Sequence, residues 1–129
     1  MTLDVFLSEF PEIFGCEIKR EVGKIFQARG ECNYFFYIKE RKSSYQNWGV
    51  TKNVIDSLKK HNTPWFLLLL SSPPYINYFL TSDNVEDCIR NKWKLNKDGD
   101  YKTGTIFPDN NEFSSVKQLK YKIEFRKEI

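Results

Sequence analysis

Residues 34–72 read YFFYIKERKSSYQNWGVTKNVIDSLKKHNTPWFLLLLSS, and the order of apolar and charged runs within them decides the fold. Tyr34 to Tyr37 are four consecutive apolar residues, as expected of a strand buried on both faces. The run then alternates. Phe36, Ile38, Glu40 and Lys42 share one face of a strand over Tyr34–Lys42, and Phe35, Tyr37, Lys39 and Arg41 share the other. Residues 43–48 are polar loop material. Thr51 or Asn53 can cap a helix to about His61, with Val54, Ile55 and Leu58 facing inward. Asn62-Thr63-Pro64 stops that helix, and Trp65–Leu70 is a second buried strand.

Upstream, Leu3, Val5, Phe6, Leu7, Phe10, Ile13 and Phe14 recur at near-helical spacing behind Thr2, which predicts a helix over about 2–10 with a further turn to 14. Residues 16–27 admit two readings. One is a helix carrying Ile18, Val22, Ile25 and Phe26 on one stripe; the other is two strands joined at Gly23-Lys24. Gly23 weakens the helix by about 1 kcal/mol relative to Ala. Downstream, the pattern predicts a strand over 75–80, a helix over about 83–91, short strands at 93–95 and 101–107, and a last helix behind Ser114 or Ser115. That helix buries Val116, Leu119 and Ile123, and residues 124–129 read as an exposed tail. The order predicts an α/β (α+β) chain, a single domain over 1–129 with a central mixed β-sheet flanked by helices.

Composition narrows the function. Aromatic residues make up 16% of the 129, enough to fill a core or build a binding surface. The net charge of +3 is uneven: residues 39–61 carry six basic side chains against Glu40 and Asp56. A local basic patch attracts polyanions more than a chain average does. Three cysteines, an odd number, read as small buried side chains and point to a cytoplasmic, intracellular protein. The longest apolar run, six residues, is too short for a membrane span. The chain has neither of the glycine-rich nucleotide loops, no CxxC pair, and a single His, His61, at a predicted helix end.

The constellation above background is Glu40-Arg41-Lys42. A strand-end carboxylate can hold Mg²⁺ through oxygen, and an ammonium two residues on can polarise a water. A second acid would come from Glu12, Glu17, Glu21 or Glu31. Ser43, Ser44, Gln46, Trp48 and Lys52 follow with hydroxyl, amide, aromatic and basic groups suited to nucleic acid. The plainer reading of Glu40 and Lys42 is a solvated strand end.

Strand, ExK, loop, helix and buried strand in this order resemble the core of the PD-(D/E)XK nucleases, the restriction-endonuclease-like superfamily. The likeness spans roughly residues 16–90. It implies a metal-dependent DNA endonuclease using Mg²⁺, with Mn²⁺ as substitute. Glu40 would bind metal with Glu21, Glu17 or Glu31, and Lys42 would be catalytic. Lys39, Arg41, Ser43, Ser44, Gln46, Trp48 and Lys52 would approach the backbone of DNA, or of RNA. The resemblance also implies a homodimer. The chain departs from the pattern in having no Asp between Asp4 and Asp56. A second register, with Asn33, Tyr37 and Lys39 at the motif positions, lacks both carboxylates. Two other functions follow from these departures: a catalytically inactive nucleic-acid-binding module on the same scaffold, or a protein-interaction factor using its aromatic surface.

Overall fold

The structure is a computed structural model describing residues 1–41, 47–72, 76–104 and 107–127, with side chains to 125. Its elements are α1 (Leu3–Phe14), β1 (Cys16–Val22), β2 (Ile25–Gly30), β3 (Asn33–Arg41), β4 (Gly49–Thr51), α2 (Lys52–Lys59), β5 (Trp65–Ser71), β6 (Asn77–Thr81), α3 (Ser82–Asn91), β7 (Lys94–Leu95), β8 (Asp100–Lys102), β9 (Glu112–Phe113) and α4 (Val116–Lys127). Six strands form a mixed sheet in the order β1-β2-β3-β5-β6-β9. The β3–β5 pair is parallel and the others are antiparallel. A parallel neighbour cannot be reached by a tight turn, so the chain between them must cross over, and α2 lies in that crossover. The predicted mixed sheet flanked by helices is what is observed.

Strand parity sorts the core into two layers. Every residue of β5 is buried. Phe66, Leu68 and Leu70 pack with Phe6, Phe10 and Phe14 of α1 and with Val116, Leu119 and Ile123 of α4. Trp65, Leu67 and Leu69 pack with Ile55 and Leu58 of α2 and with Val85 and Cys88 of α3. Phe6, Phe10 and Phe14 recur every four residues and so share one helix face. Their rings surround Phe36, with centroids 5.5–6.5 Å away. Burying each ring stabilises the fold by about 2–3 kcal/mol. Thr2 caps α1 through Oγ1, which accepts from Val5 N at 3.2 Å. Gly15 ends the helix in the left-handed region, at φ 67°, with its N–H bonded to Pro11 O. A Cβ at Gly15 would also lie 2.9 Å from a Glu31 carboxylate oxygen.

Residues 16–30 take the two-strand form, with a turn at Gly23-Lys24. Pairing β2 to β3 satisfies backbone groups on both strands, which a helix there would not do for β3. Three expectations are corrected. The last helix runs to Lys127, so most of the supposed tail is helical. Among the described residues, the strand predicted over 101–107 is three residues, Asp100–Lys102, with Gly104 at positive φ beyond it and 105–106 outside the described residues. Cys16 and Cys32 form a disulfide with Cα atoms 6.3 Å apart, leaving Cys88 as the free, buried cysteine. The odd count had hidden one pair, and with it goes the cysteine argument for a cytoplasmic location. Among the described residues, no helix is long and apolar enough to cross a membrane.

A second, three-stranded sheet, β4-β8-β7, covers part of the α2 side. Its β7 and β8 answer to the short strands expected at 93–95 and 101–107, whereas the three-residue β4 and the pairing of the three into a separate sheet were not foreseen. Val50 and Tyr101 are directly paired and both turn into the α2-side core. Asn96 to Gly99 close the β7–β8 turn, with Gly99 N–H bonded to Asn96 O and Gly99 at φ 88°. That conformation suits glycine.

Candidate nucleic-acid interface

The end of β3 carries three described charges, and strand parity sends them to different places. Glu40 follows Phe36 and Ile38 toward α1. Its Oε2 accepts from Leu3 N at 2.9 Å. This carboxylate therefore satisfies a first-turn N–H of α1 and sits at the positive end of the helix dipole. The Met1 amino group donates to Ser71 O and to Asn77 Oδ1, and it feels the Glu40 charge. Burial still lowers its pKa below the usual amine value, with Glu40 opposing.

Arg41 faces the other way. Its guanidinium lies 4.1 Å from the Trp48 ring centroid, and Nη2 reaches Ser71 Oγ at 3.3 Å. Trp48 is 4% exposed and donates from Nε1 to Leu70 O at 3.3 Å. The expectation that Trp48 contacts nucleic acid is therefore corrected: the ring is core, drawn in by its indole hydrogen bond and by Tyr78 and Phe107. Lys52 bonds Asp56 at 2.6 Å, one helical turn on. That bond raises the Lys52 pKa and lowers that of Asp56. Lys42, Ser43, Ser44 and Gln46 lie outside the described residues.

The proposed acidic partners do not gather at Glu40. Glu17 is paired to Arg29, which is paired to Asn33, so it sits level with the start of β3. At about 3.3 Å per residue, that is roughly 23 Å from Glu40. Glu31 lies in the β2–β3 turn at the same far end, beside Gly15. Glu21 stands at an irregularity in β1, two strands away, or roughly 10 Å across the sheet and a further 10 Å along it. Glu17 and Glu21 line a shallow depression with Lys19, Gln27 and Arg29. Glu12 is nine residues along α1 from Leu3, roughly 14 Å. Among the described residues, no group of three His, Cys, Asp or Glu could hold a metal ion. The described residues do not fit the two-carboxylate Mg²⁺ or Mn²⁺ centre.

On the opposite face of β3, Lys39 is half-buried. Burial lowers its pKa below 10.5; Asp100 pulls upward, and Lys24 and Lys102 push further down. Asp100 accepts from Thr51 Oγ1 at 2.8 Å. Thr51 N donates to Tyr37 Oη at 3.0 Å, tying the small sheet to β3. Lys24 and Lys102 are residues the sequence reading missed. The Asp98-Gly99 pair between Leu95 and Tyr101 was the available signal, being a hairpin turn flanked by apolar residues. In the second register, Tyr37 is buried and engaged, Lys39 belongs to this basic group, and Asn33 is at the far end.

No family model matches the chain, and no curated protein matches it. Among solved structures it is similar to Hjc, a Holliday junction resolvase from the hyperthermophilic archaeon Archaeoglobus fulgidus. The identity is 12%, the likeness covers 77% of each chain, and the TM-score is 0.48. A likeness of this size transfers neither residues nor activity.

Proposed function

We propose that this chain binds nucleic acid on a restriction-endonuclease-like scaffold in which the strand-end carboxylate serves the fold instead of a metal ion. One observation carries the reading: Glu40 Oε2 caps α1 at Leu3 N, while its sequence neighbour Lys39 emerges on the other face among further lysines. Fixing the carboxylate on a helix end supports a module that holds a polyanion without turnover. DNA is the expected partner, and RNA is the alternative. The test is binding of labelled duplex, single-stranded DNA and RNA at low salt. Affinity should fall steeply as salt competes for the phosphates. Failure to bind any of the three overturns the reading.

The metal-dependent endonuclease is the second reading. It draws support from the order of elements, β3, then α2, then the buried β5 in the same sheet, which matches the strand, loop, helix and buried strand of the sequence resemblance. In it Glu40 would hold Mg²⁺ with Glu21, Glu17 or Glu31, Lys42 would be catalytic, and two copies would act as a homodimer. It requires a second carboxylate to reach Glu40, whose Oε2 is held by Leu3 N. Incubation of DNA with wild type and Lys42→Ala in Mg²⁺ or Mn²⁺ tests it. Cleavage by wild type alone would establish this reading over the first.

A further inference from the structure

The geometry points to a phosphodiester-binding seat on the face of β3 opposite Glu40, built by Lys39 with Lys24, Lys94 and Lys102. This deepens the nucleic-acid reading and rests on it. The four lysines come from separate elements: the β1–β2 turn, β3, β7 and β8. Lys24, Lys94 and Lys102 are exposed and Lys39 is half-buried.

Three features mark the cluster as built for an anion. Lys94 and Lys102 stand directly opposite each other across the β7–β8 ladder, a like-charge pairing that destabilises a sheet. Lys102 Nζ folds over Gly49 of β4: a Cβ there would lie 3.5 Å from that ammonium and 3.1 Å from Asp100 Oδ2. The nearby carboxylates fall short of neutralising the group. Asp100 is already engaged by Thr51 Oγ1, and Asp98 reaches Lys102 only at 3.9 Å. Asp100 acts on Lys39 and Asp98 on Lys102, two carboxylates against four lysines. The downward pull of Lys24 and Lys102 on the Lys39 pKa agrees with this excess of positive charge. Because the lysines are spread over four elements, the arrangement suits a run of phosphates better than one small anion.

This face is away from α1, so the seat does not depend on Glu40 being free. Nor does it lie along one strand; three of its four lysines come from outside the basic stretch 39–61.

The test is fluorescence anisotropy with a labelled duplex of about 20 base pairs and a single strand of the same sequence, over roughly 0.05 to 0.3 M salt. Lys39→Gln/Lys102→Gln should lower the duplex salt slope by nearly two and weaken binding roughly fiftyfold at about 0.1 M salt. Lys59→Gln/Lys60→Gln removes the same charge from the far end of α2 and should leave the slope within experimental error. Far-UV circular dichroism and the urea midpoint check that each variant folds, and Lys94→Gln alone should lower the slope by about one. Equal slopes for wild type and the Lys39/Lys102 variant, or an equal loss in the Lys59/Lys60 control, overturn the seat. Displacement of the duplex by millimolar inorganic phosphate with unchanged slopes also overturns it, in favour of a single-ion site. Wild type that binds no nucleic acid overturns the functional reading itself, a result distinct from the others.

Discussion

The two faces of β3 treat charge in opposite ways. Toward α1, a single carboxylate is matched by a helix end, on the side of the sheet that carries the phenylalanine core. Toward α2 and the small sheet, like charges are brought together and left in excess. The first arrangement lowers the energy of the folded chain. The second raises it, and such a cost persists where a partner recovers it. One face holds the fold, therefore, and the other is where binding should act.

The largest effect should come from the α1 face. Phe36 is fully buried among four α1 and β3 rings, and Phe36→Ala should cost about 3–5 kcal/mol in urea unfolding. The fraction that remains folded should bind nucleic acid normally; a selective loss of binding would break the division of labour. Reduction of Cys16–Cys32, which spans 16 residues on the same side, should lower stability by about 3 kcal/mol and leave the salt slope untouched. Glu40→Gln keeps an acceptor for Leu3 N but loses the charge at the helix end, and should cost about 1 kcal/mol. If instead it abolishes a Mg²⁺-dependent cleavage without loss of stability, the cap is incidental and the endonuclease reading takes its place.

Lys39→Gln should give the smallest and most telling change, a gain of about 0.3 kcal/mol after solvent screening, together with weaker binding. Burial, the leading cause, holds the Lys39 pKa below its unfolded value of 10.5. Below the folded pKa both states are protonated and the penalty is present in full. Between the folded pKa and 10.5 the unfolded chain holds more protons, so stability rises with pH in that window. Urea midpoints across the alkaline range should show this rise in wild type and its loss in Lys39→Gln.

Much of this contrast could be read from alternation alone. The stretch 34–42 assigns Glu40 and Lys39 to opposite faces, and it does so because side-chain direction has a period of two. What alternation does not reveal is who arrives to meet each face. The Leu3 amide comes from 37 residues away, and Lys102 from 63 residues beyond Lys39. Trp48 was misjudged for the same reason: a polar neighbourhood in sequence is not a polar neighbourhood in space, and Arg41 and Leu70 close over it. The acidic partner of Glu40 was sought along the chain, where carboxylates are plentiful, while the sheet register sends each of them to another end or another strand.

The complete burial of β5 has a further consequence. Trp65–Leu70 contains no proline and no charge, the make-up of segments that stack into fibrils when freed. Its two neighbours occupy both hydrogen-bonding edges, β3 on one side and β6 on the other. Among the described residues, only β9 stands beyond β6, held by two paired positions, Asn77 with Phe113 and Tyr78 with Glu112. Resistance to aggregation thus depends on a short outer strand, and hydrogen exchange should find β9 and β6 opening before β3. The side-chain amide of Asn77, which bonds the Phe113 carbonyl at 3.1 Å, is one latch on that edge.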